Sequence, residues 1–540
     1  MTSPEVTAEL DHSLFWRLIE ISTALSGERN TSRLFERILD AAQDITHADG
    51  GTLYLIKEAE EGKPVLEFEI LRNDSLKLRL GGTSGNPIDL PPLPLYRADG
   101  SPNNGNIATY TALTKKMENI EDAYYAEHLD FSGTKAFDAR SGYRSRSFLT
   151  VPLINHADEV IGVLQLLNAR DEDSGETIAF GKSLEPIVAA LASSAAIALD
   201  NQILLQDHKD LLDAFIKVIA QAIDAKSAHT SAHCQRVPVL TELIAQAACE
   251  AAAGPLGRFS LDETEWYELR VASWMHDCGK LATPDWILDK ATKLHLMLDG
   301  IDAVKTRFSA ALAQTELKFL RQLAAQPDAV LRDVMDQELA LLRADCAFIE
   351  KANVGGEFMK PEDQARVKQI AGRKWLDHLG MEQPMLTDTE VAYLCIERGT
   401  LSFDERQKIN DHMKVTIQML ESLPFPKNLK RVPEYAGGHH EKMDGTGFPR
   451  GLKREQMSWP ARMMAIADIF EALTSSDRPY KAPMKISQSL SILQKMRQQN
   501  HIDPDLFDLF LESRVWEKYA RIYLRPEQLD ITDPAPYFGA

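Results

Sequence analysis

The segment Gly438-His439-His440-Glu441-Lys442-Met443-Asp444-Gly445-Thr446-Gly447-Phe448-Pro449 decides how this chain is read. Adjacent histidines, flanking acidic residues and a Gly-Phe-Pro end share one short stretch. Neutral imidazoles are ready metal ligands, and paired ones can serve neighbouring ions. Glycines let the backbone turn tightly against a ligand. A lone His-His pair is as often an exposed or core-satisfied pair. Here matching pieces lie along the chain: His233, His276-Asp277 with Lys280, His412 and Asp468.

Working outward, each piece has a local reason to be a ligand. Val271-Ala272-Ser273-Trp274-Met275-His276-Asp277 reads as an apolar helix ending abruptly in His-Asp. A carboxylate beside a core-facing stretch is costly unless paired or metal-bound. Such a carboxylate can bridge two ions, and Lys280, about a turn further on, can meet phosphate charge. His412 is expected on a helix starting near Ser402, and Asp468 ends the apolar run Met463-Met464-Ala465-Ile466-Ala467. Asp477-Arg478-Pro479-Tyr480-Lys481 follows, placing cations beside that aspartate. His229 and His233 share a face if one helix carries both; if Thr230 or Ser231 caps a new helix, the geometry stays open.

The 540 residues predict roughly three or four domain-sized units. A hydrophobic share of 44% with 26% charged residues reads as globular. The formal charge of −20 argues against general nucleic-acid binding, which wants a basic face. Cys234, Cys249, Cys278, Cys346 and Cys395 form no Cys-x-x-Cys, so a reducing cytosol is expected rather than a disulfide framework. No signal peptide is read at the start, and no apolar run is read as long enough to cross a bilayer, so a cytoplasmic protein without membrane contact is expected.

The N-terminal part has a different texture. Residues 1–12 are polar and expected to be frayed or flexible. Leu14, Phe15, Leu18, Ile19, Ile21 and Leu25 fall at helical spacing, and a second helix is expected from an N-cap at Thr31 through Ile45. Gly51–Ile56, Val65–Leu71, Ser147–Ile154 and Val160–Leu167 read as strands, with turns at 58–63 and 156–159 and a Gly/Pro-rich loop over 81–106. This is an α+β sensor-like pattern.

Gly142-Tyr143-Arg144-Ser145-Arg146-Ser147-Phe148-Leu149-Thr150-Val151-Pro152-Leu153, with Gly162–Asn168 and Met117–Tyr124, resembles the core of GAF domains over about 13–200. The resemblance implies a six-stranded antiparallel sheet with helices on one side, bounded as 13–182. It also implies a pocket for a small-molecule ligand, or a dimerisation unit with none. A linker helix follows over 183–212. Leu184, Val188, Leu191, Ala195, Ala198, Gln202 and Leu205 step as a coiled-coil seam for a homodimer stalk, the alternative being packing on its own domain.

The ordered set of histidines and aspartates resembles the HD superfamily of metal-dependent phosphohydrolases, and His439-His440-Glu441 through Pro449 is similar to the HD-GYP subfamily. The resemblance implies an all-α catalytic domain over 213–525, with a tail at 526–540. It implies two or three divalent ions, iron or alternatively manganese, and hydrolysis of cyclic di-GMP to pGpG and onward to GMP. The implied ligands are His233, His276, Asp277, His412, His439, His440 and Asp468, with Asp277 bridging. His229 is the candidate for a third metal and Asp224 a weaker one. Asp277 and Lys280 are the implied catalytic residues. Lys280, Arg478, Lys481, Gly445, Gly447, Phe448 and Pro449 are the implied substrate contacts. A diguanylate cyclase or another signalling protein is a candidate partner.

The chain departs from the subfamily pattern in three places. Phe448 stands where the pattern has tyrosine. The loop Thr474–Arg478 is one residue longer than usual. An amphipathic insertion over 291–400 is expected as a helical hairpin, serving as a packed excursion, a partner surface or a lid. Two other function classes stay open: a non-catalytic receptor for cyclic di-GMP, and a phosphodiesterase for another cyclic dinucleotide such as cyclic GMP-AMP.

Overall fold

The computed structural model describes residues 4–59, 62–126, 129–226, 232–296, 298–355, 358–475 and 483–539. The chain forms two compact units, Met1–Leu211 and Leu212–Ala540.

The first unit opens with helices α1 (Pro4–Gly27) and α2 (Thr31–Thr46). α1 thus begins earlier than the frayed start expected from composition. Asn30, not Thr31, caps α2: its side chain accepts from the Arg33 N–H at 2.9 Å. The strands are β1 (Ala48–Glu58), β2 (Pro64–Asn73), β3 (Leu78–Gly81), β4 (Leu93–Pro94), β5 (Glu118–Ile120), β6 (Phe148–Ile154), β7 (Val160–Arg170) and β8 (Thr177–Ile178). Six of them run antiparallel in the order β3-β2-β1-β7-β6-β5, and the two-residue β4 and β8 pair at the sides. In register, Leu53 faces Leu164, which faces Val151.

Alternation along the central strands gives the sheet two apolar faces. Leu53, Leu55, Val151 and Leu164 pack with α2 residues Leu34, Ile38 and Leu39. Tyr54, Leu66 and Val163 point the other way, onto Ala108 and Ala112 of α3 (Ile107–Thr114). Helices therefore cover both faces, not one as expected. α4 (Ser132–Ser141) completes this unit's short helices.

α5 (Glu185–Lys226) corrects two expectations. It is long and apolar enough to cross a membrane by length and composition. Yet Val188, Leu191, Ala195 and Ala198, the upper part of the expected coiled-coil seam, are buried in the first unit's own core. That burial accounts for one apolar face of its first half, while Ile197, Leu204 and Leu205 stay exposed.

The second unit is helical: α6 (His233–Glu250), α7 (Glu263–Met275), α8 (Asp285–Leu288), α9 (Ile301–Ala325), α10 (Ala329–Asn353), α11 (Pro361–Ala371), α12 (Asp388–Leu394), α13 (Phe403–Asn410), α14 (His412–Ser422), α15 (Val432–Gly437), α16 (Trp459–Thr474), α17 (Ile486–Gln498), α18 (Pro504–Glu512) and α19 (Val515–Tyr523). One core joins α6 and α16 to the C-terminal helices through Val237, Leu240, Phe470, Phe507 and Trp516. A second joins α7, α14 and α15 through Val271, Leu420 and Tyr435. The tail from Asp530 is not simply extended: it forms the turn Ala535–Tyr537, and Tyr537 and Phe538 pack on the first of these cores.

The insertion is the expected hairpin, α9 and α10, with α11, α12 and a small two-stranded ribbon (Lys374–Leu376 and Glu382–Pro384) added. Its core holds Val304, Phe308, Leu342 and Ile349, whereas Leu317, Leu320, Val330 and Val334 stay exposed toward the hairpin tip. Its two ends are tied by charge. The buried Lys290 ammonium lies 2.6 Å from the buried Glu405 carboxylate and over the Tyr393 ring. Removing one partner of a buried pair leaves an uncompensated charge. Lys290→Met should therefore cost about 3–5 kcal/mol, read as a fall in the urea midpoint. Adding Glu405→Gln, which keeps the α13 cap, should recover most of that loss.

Candidate metal centre

Three of the histidines are presented in the same way. His276 follows the last turn of α7, His412 follows α13, and His439 follows α15. In each, Nδ1 lies 2.5–2.7 Å from the main-chain carbonyl three residues back: Ser273, Ile409 and Ala436. Carbonyls at a helix end lack intrahelical donors, so each accepts the Nδ1 proton. A carbonyl can only accept, which fixes the proton on Nδ1 and leaves the Nε2 lone pair free to ligate. Nε2 of His233, His276, His412 and His439 is buried without a hydrogen-bond partner. Four orphaned imidazole nitrogens in one place are costly in a folded interior and are satisfied by metal ions.

The arrangement is two trios around one carboxylate. Ligand atoms of His233, His276 and Asp277 lie within 4.8 Å of one another, as do those of His412, His439 and His440. Asp277 Oδ2 is 3.3 Å from Nε2 of both His233 and His276, and Oδ1 is 3.3 Å from Nε2 of His412. Its two oxygens thus face the two groups, the geometry a bridging carboxylate needs. Asp468, on α16, joins the first group with Oδ1 at 3.2 Å from His233 Nε2. The residues present therefore fit a dinuclear site.

Electrostatics agree. Burial would drive His233 neutral, but Asp277, Asp468 and Glu471 raise its pKa well above the ordinary imidazole value. The carboxylates around it call for a cation at this corner, proton or metal. Burial also opposes charge on Asp277, yet Lys280 and His276 hold its carboxyl well below the usual range. His439 and His440 are lowered, first by burial, His440 to about 4. Both are therefore neutral and available as ligands near pH 7.

Some sequence expectations need correction. His412 does not continue the helix from Ser402: α13 ends at Asn410, the chain breaks at Asp411, and His412 opens α14. Lys280 Nζ sits 2.5 Å from Asp277 Oδ2, so it is paired with the Asp277 carboxylate itself. Asp224 is in neither three-ligand group among the described residues; its Oδ1 accepts from the Cys234 N–H, and burial raises its pKa. His229, Arg478 and Lys481 lie outside the described residues.

The Gly-rich segment is built around Glu441. Its buried carboxylate accepts from the Arg450 and Leu452 N–H groups at 2.7 and 3.0 Å, closing the loop. Gly447 must be glycine, since a Cβ there would meet Lys442 N and Glu441 Cα at 2.4–2.5 Å. Gly445 has φ +82°. The Phe448 ring stacks on His440 with centroids 4.9 Å apart, and the Phe448–Pro449 bond is cis.

Sequence reasoning missed the residue that orients His233. Glu471 Oε2 is 2.5 Å from His233 Nδ1, and Oε1 accepts from Arg236 Nε at 2.7 Å. The available signal was spacing: Glu471 is one helical turn beyond Asp468, on the same face. Reasoning also missed Gly279. A Cβ there would lie 2.0 Å from the His412 carbonyl oxygen, and its N–H bonds Thr416 Oγ1 at 2.9 Å. This close approach holds Asp277 against α14.

Comparison with known proteins follows this geometry. Residues 30–199 match the GAF domain family and residues 387–506 the HD domain family. The chain thus carries a GAF domain and an HD domain. It is 26% identical over 306 residues to 3'3'-cGAMP-specific phosphodiesterase 3 of Vibrio cholerae, covering 56% of this chain and 40% of that one. It is 36% identical to 3'3'-cGAMP-specific phosphodiesterase 1 of the same organism, over 23% of this chain and 25% of that one. A cyclic di-GMP phosphodiesterase of Thermotoga maritima is 24% identical, over 32% of this chain and 51% of that one. The chain spans about half or less of the length of these relatives. The HD match begins at residue 387, inside the last part of the insertion, so His233, His276 and Asp277 fall outside it; the fold brings them back beside His412, His439 and His440.

Two variants test this reading. Glu471→Gln should loosen metal retention about 10–100-fold with the fold kept, followed by metal analysis after dialysis against chelator. Gly279→Ala should lower both the melting temperature and the metal content, because its Cβ must displace the His412 main chain.

Proposed function

We propose that the second unit is a metal-dependent phosphodiesterase of the HD-GYP kind that cleaves a cyclic dinucleotide, cyclic di-GMP in the first reading, to the linear pGpG and onward to GMP. The observation that carries it is the Asp277 carboxylate, one oxygen toward His233 and His276 and the other toward His412. His233, His276 and Asp468 would hold one ion, and His412, His439 and His440 the other, with Asp277 shared. Two divalent ions, iron or manganese, would supply Lewis acidity at the scissile phosphate and lower the pKa of attacking water.

The protein's own groups prepare that chemistry. The Nδ1 contacts fix imidazole orientation before substrate arrives. Lys280, one-fifth exposed, is the cation beside the bridging carboxylate and faces charge that grows on the phosphoryl oxygens. Gly445 and Gly447 let the loop fold closely against Lys453 and Glu441, and Phe448 holds the His440 ring. Arg478 and Lys481 remain proposed contacts for the second phosphate, and His229 the proposed ligand of a third ion. The GAF domain is the proposed regulator, binding a small molecule. Five free cysteines suit a cytoplasmic setting.

A second reading is 3'3'-cGAMP as substrate, favoured by the names of the two Vibrio relatives. Anaerobic purification with metal analysis, then turnover of cyclic di-GMP and 3'3'-cGAMP in parallel, tests both. Two or more metals per chain are expected, with turnover lost in Asp277→Ala. Faster cleavage of 3'3'-cGAMP would move the assignment to the second reading. A metal-loaded protein that binds but cleaves neither would make it a receptor.

A further inference from the structure

Within the insertion, the end of α10 and the start of α11 line a cavity of about 690 Å³. That is the size of a small-molecule site. Lys293 lines it and is only 4% exposed. Its ammonium meets the carbonyls of Leu394 and Ile396, each at 2.8 Å, and Met359 Sδ at 3.6 Å. Burial lowers its pKa, and no carboxylate offsets that cost among the described residues. Lys290, by contrast, has Glu405. A buried charge without a counter-charge is expensive to keep.

Three more cations line the same cavity: Lys351 on α10, Lys360 at the start of α11, and Arg366 on α11. Arg366 lies over the Phe348 ring at 4.2 Å and reaches Asp345 at 3.3 Å. Lys351 and Lys360 have no ion-pair partner among the described residues. Asp363 is the one carboxylate in the described lining. Four cations against one carboxylate invert the balance of a chain whose net charge is −20. Phe358, in the same lining, leaves an aromatic ring 64% exposed.

We infer that this cavity binds a small phosphorylated ligand carrying a planar ring, the chemistry of a mononucleotide. Lys351 and Lys360 have ammonium protons to give to phosphate oxygens. Lys293 has its protons engaged, so it contributes field and gains the counter-charge it lacks. The exposed Phe358 ring offers a stacking surface that accepts any base. An apolar ligand would leave the lysines without a role, and a metal ion is repelled by them. None of the lining residues belongs to the two three-ligand groups around Asp277, so this is a second site on the second unit. The inference does not rest on the phosphodiesterase reading.

Calorimetric titration of the full chain with GMP tests it, with ribose 5-phosphate and guanosine as part-ligands. GMP should bind, and each part-ligand should bind more weakly. Lys351→Glu with Lys360→Glu should weaken GMP about 30-fold or more. Phe358→Ala should weaken it about 10-fold and leave ribose 5-phosphate unchanged. Lys318→Glu with Arg321→Glu makes the same change of charge on α9, outside the cavity, and should have little effect. Asp277→Ala, which dismantles the proposed metal centre, should keep this binding. GMP bound equally by the native chain and the Lys351/Lys360 variant would overturn the inference. So would binding that disappears in Asp277→Ala, guanosine bound as tightly as GMP, or no binding at all. If the Lys351/Lys360 variant misfolds, Phe358→Ala and Asp277→Ala decide.

Discussion

One carboxylate sets the terms for the whole second unit. Asp277 is buried and stays ionised, and four imidazole nitrogens around it have nowhere else to bond. Taking such a group out of water costs several kcal/mol unless positive charge compensates it. Lys280 supplies part of that charge; the geometry leaves the rest to cations. The helices α6, α7, α14, α15 and α16 converge because each delivers a ligand or its support to this point. The packing that holds them, from Val237 to Trp516 and from Val271 to Tyr435, is the scaffold that charge requires.

The chemistry of the site was legible because it is written in residue types that are rare in apolar surroundings. His276-Asp277 after Val271–Met275, and His439-His440 before the glycines, stand out against core-forming neighbours. Their order along the chain then carried the rest, and the structure draws all seven implied ligands into one place. The strands of the first unit were legible for the same reason: period two holds through Leu53 and Leu55 and through Leu149, Val151 and Leu153. What could not be read was anything depending on close approach between distant segments. Gly279 looks like any glycine until the His412 carbonyl lies against it. Glu471 looks like a solvated helix residue until His233, far away in sequence, turns its Nδ1 toward it. The seam read on α5 from spacing is, in its upper part, the face that the first unit's own core covers.

The insertion shows how a large excursion can leave a site intact. It leaves the chain at Lys290 and returns by Glu405, and those two residues are each other's counter-charge. The Lys293 ammonium adds bonds to the carbonyls of Leu394, at the end of α12, and Ile396 just beyond it. The hairpin has its own core in Phe308, Leu342 and Ile349. It is therefore a self-supporting body tied at its root, and His412 stays in register with Asp277 although the chain between them is long.

The way the histidines are oriented divides the centre into two kinds of corner. His276, His412 and His439 are each aimed by a carbonyl only three residues back, so forming one helical turn suffices to point them. His233 is aimed by Glu471, which is 238 residues away in the chain. Local turns form in microseconds or less, whereas that contact must await closure of nearly the entire unit. His276, His412 and His439 are thus oriented early and cheaply, and His233 is the one that reports whether the unit has closed. Parting α6 from α16 would release His233 from Glu471 while His412 and His439 kept their local contacts, so any ions held as proposed would be lost unequally rather than all at once.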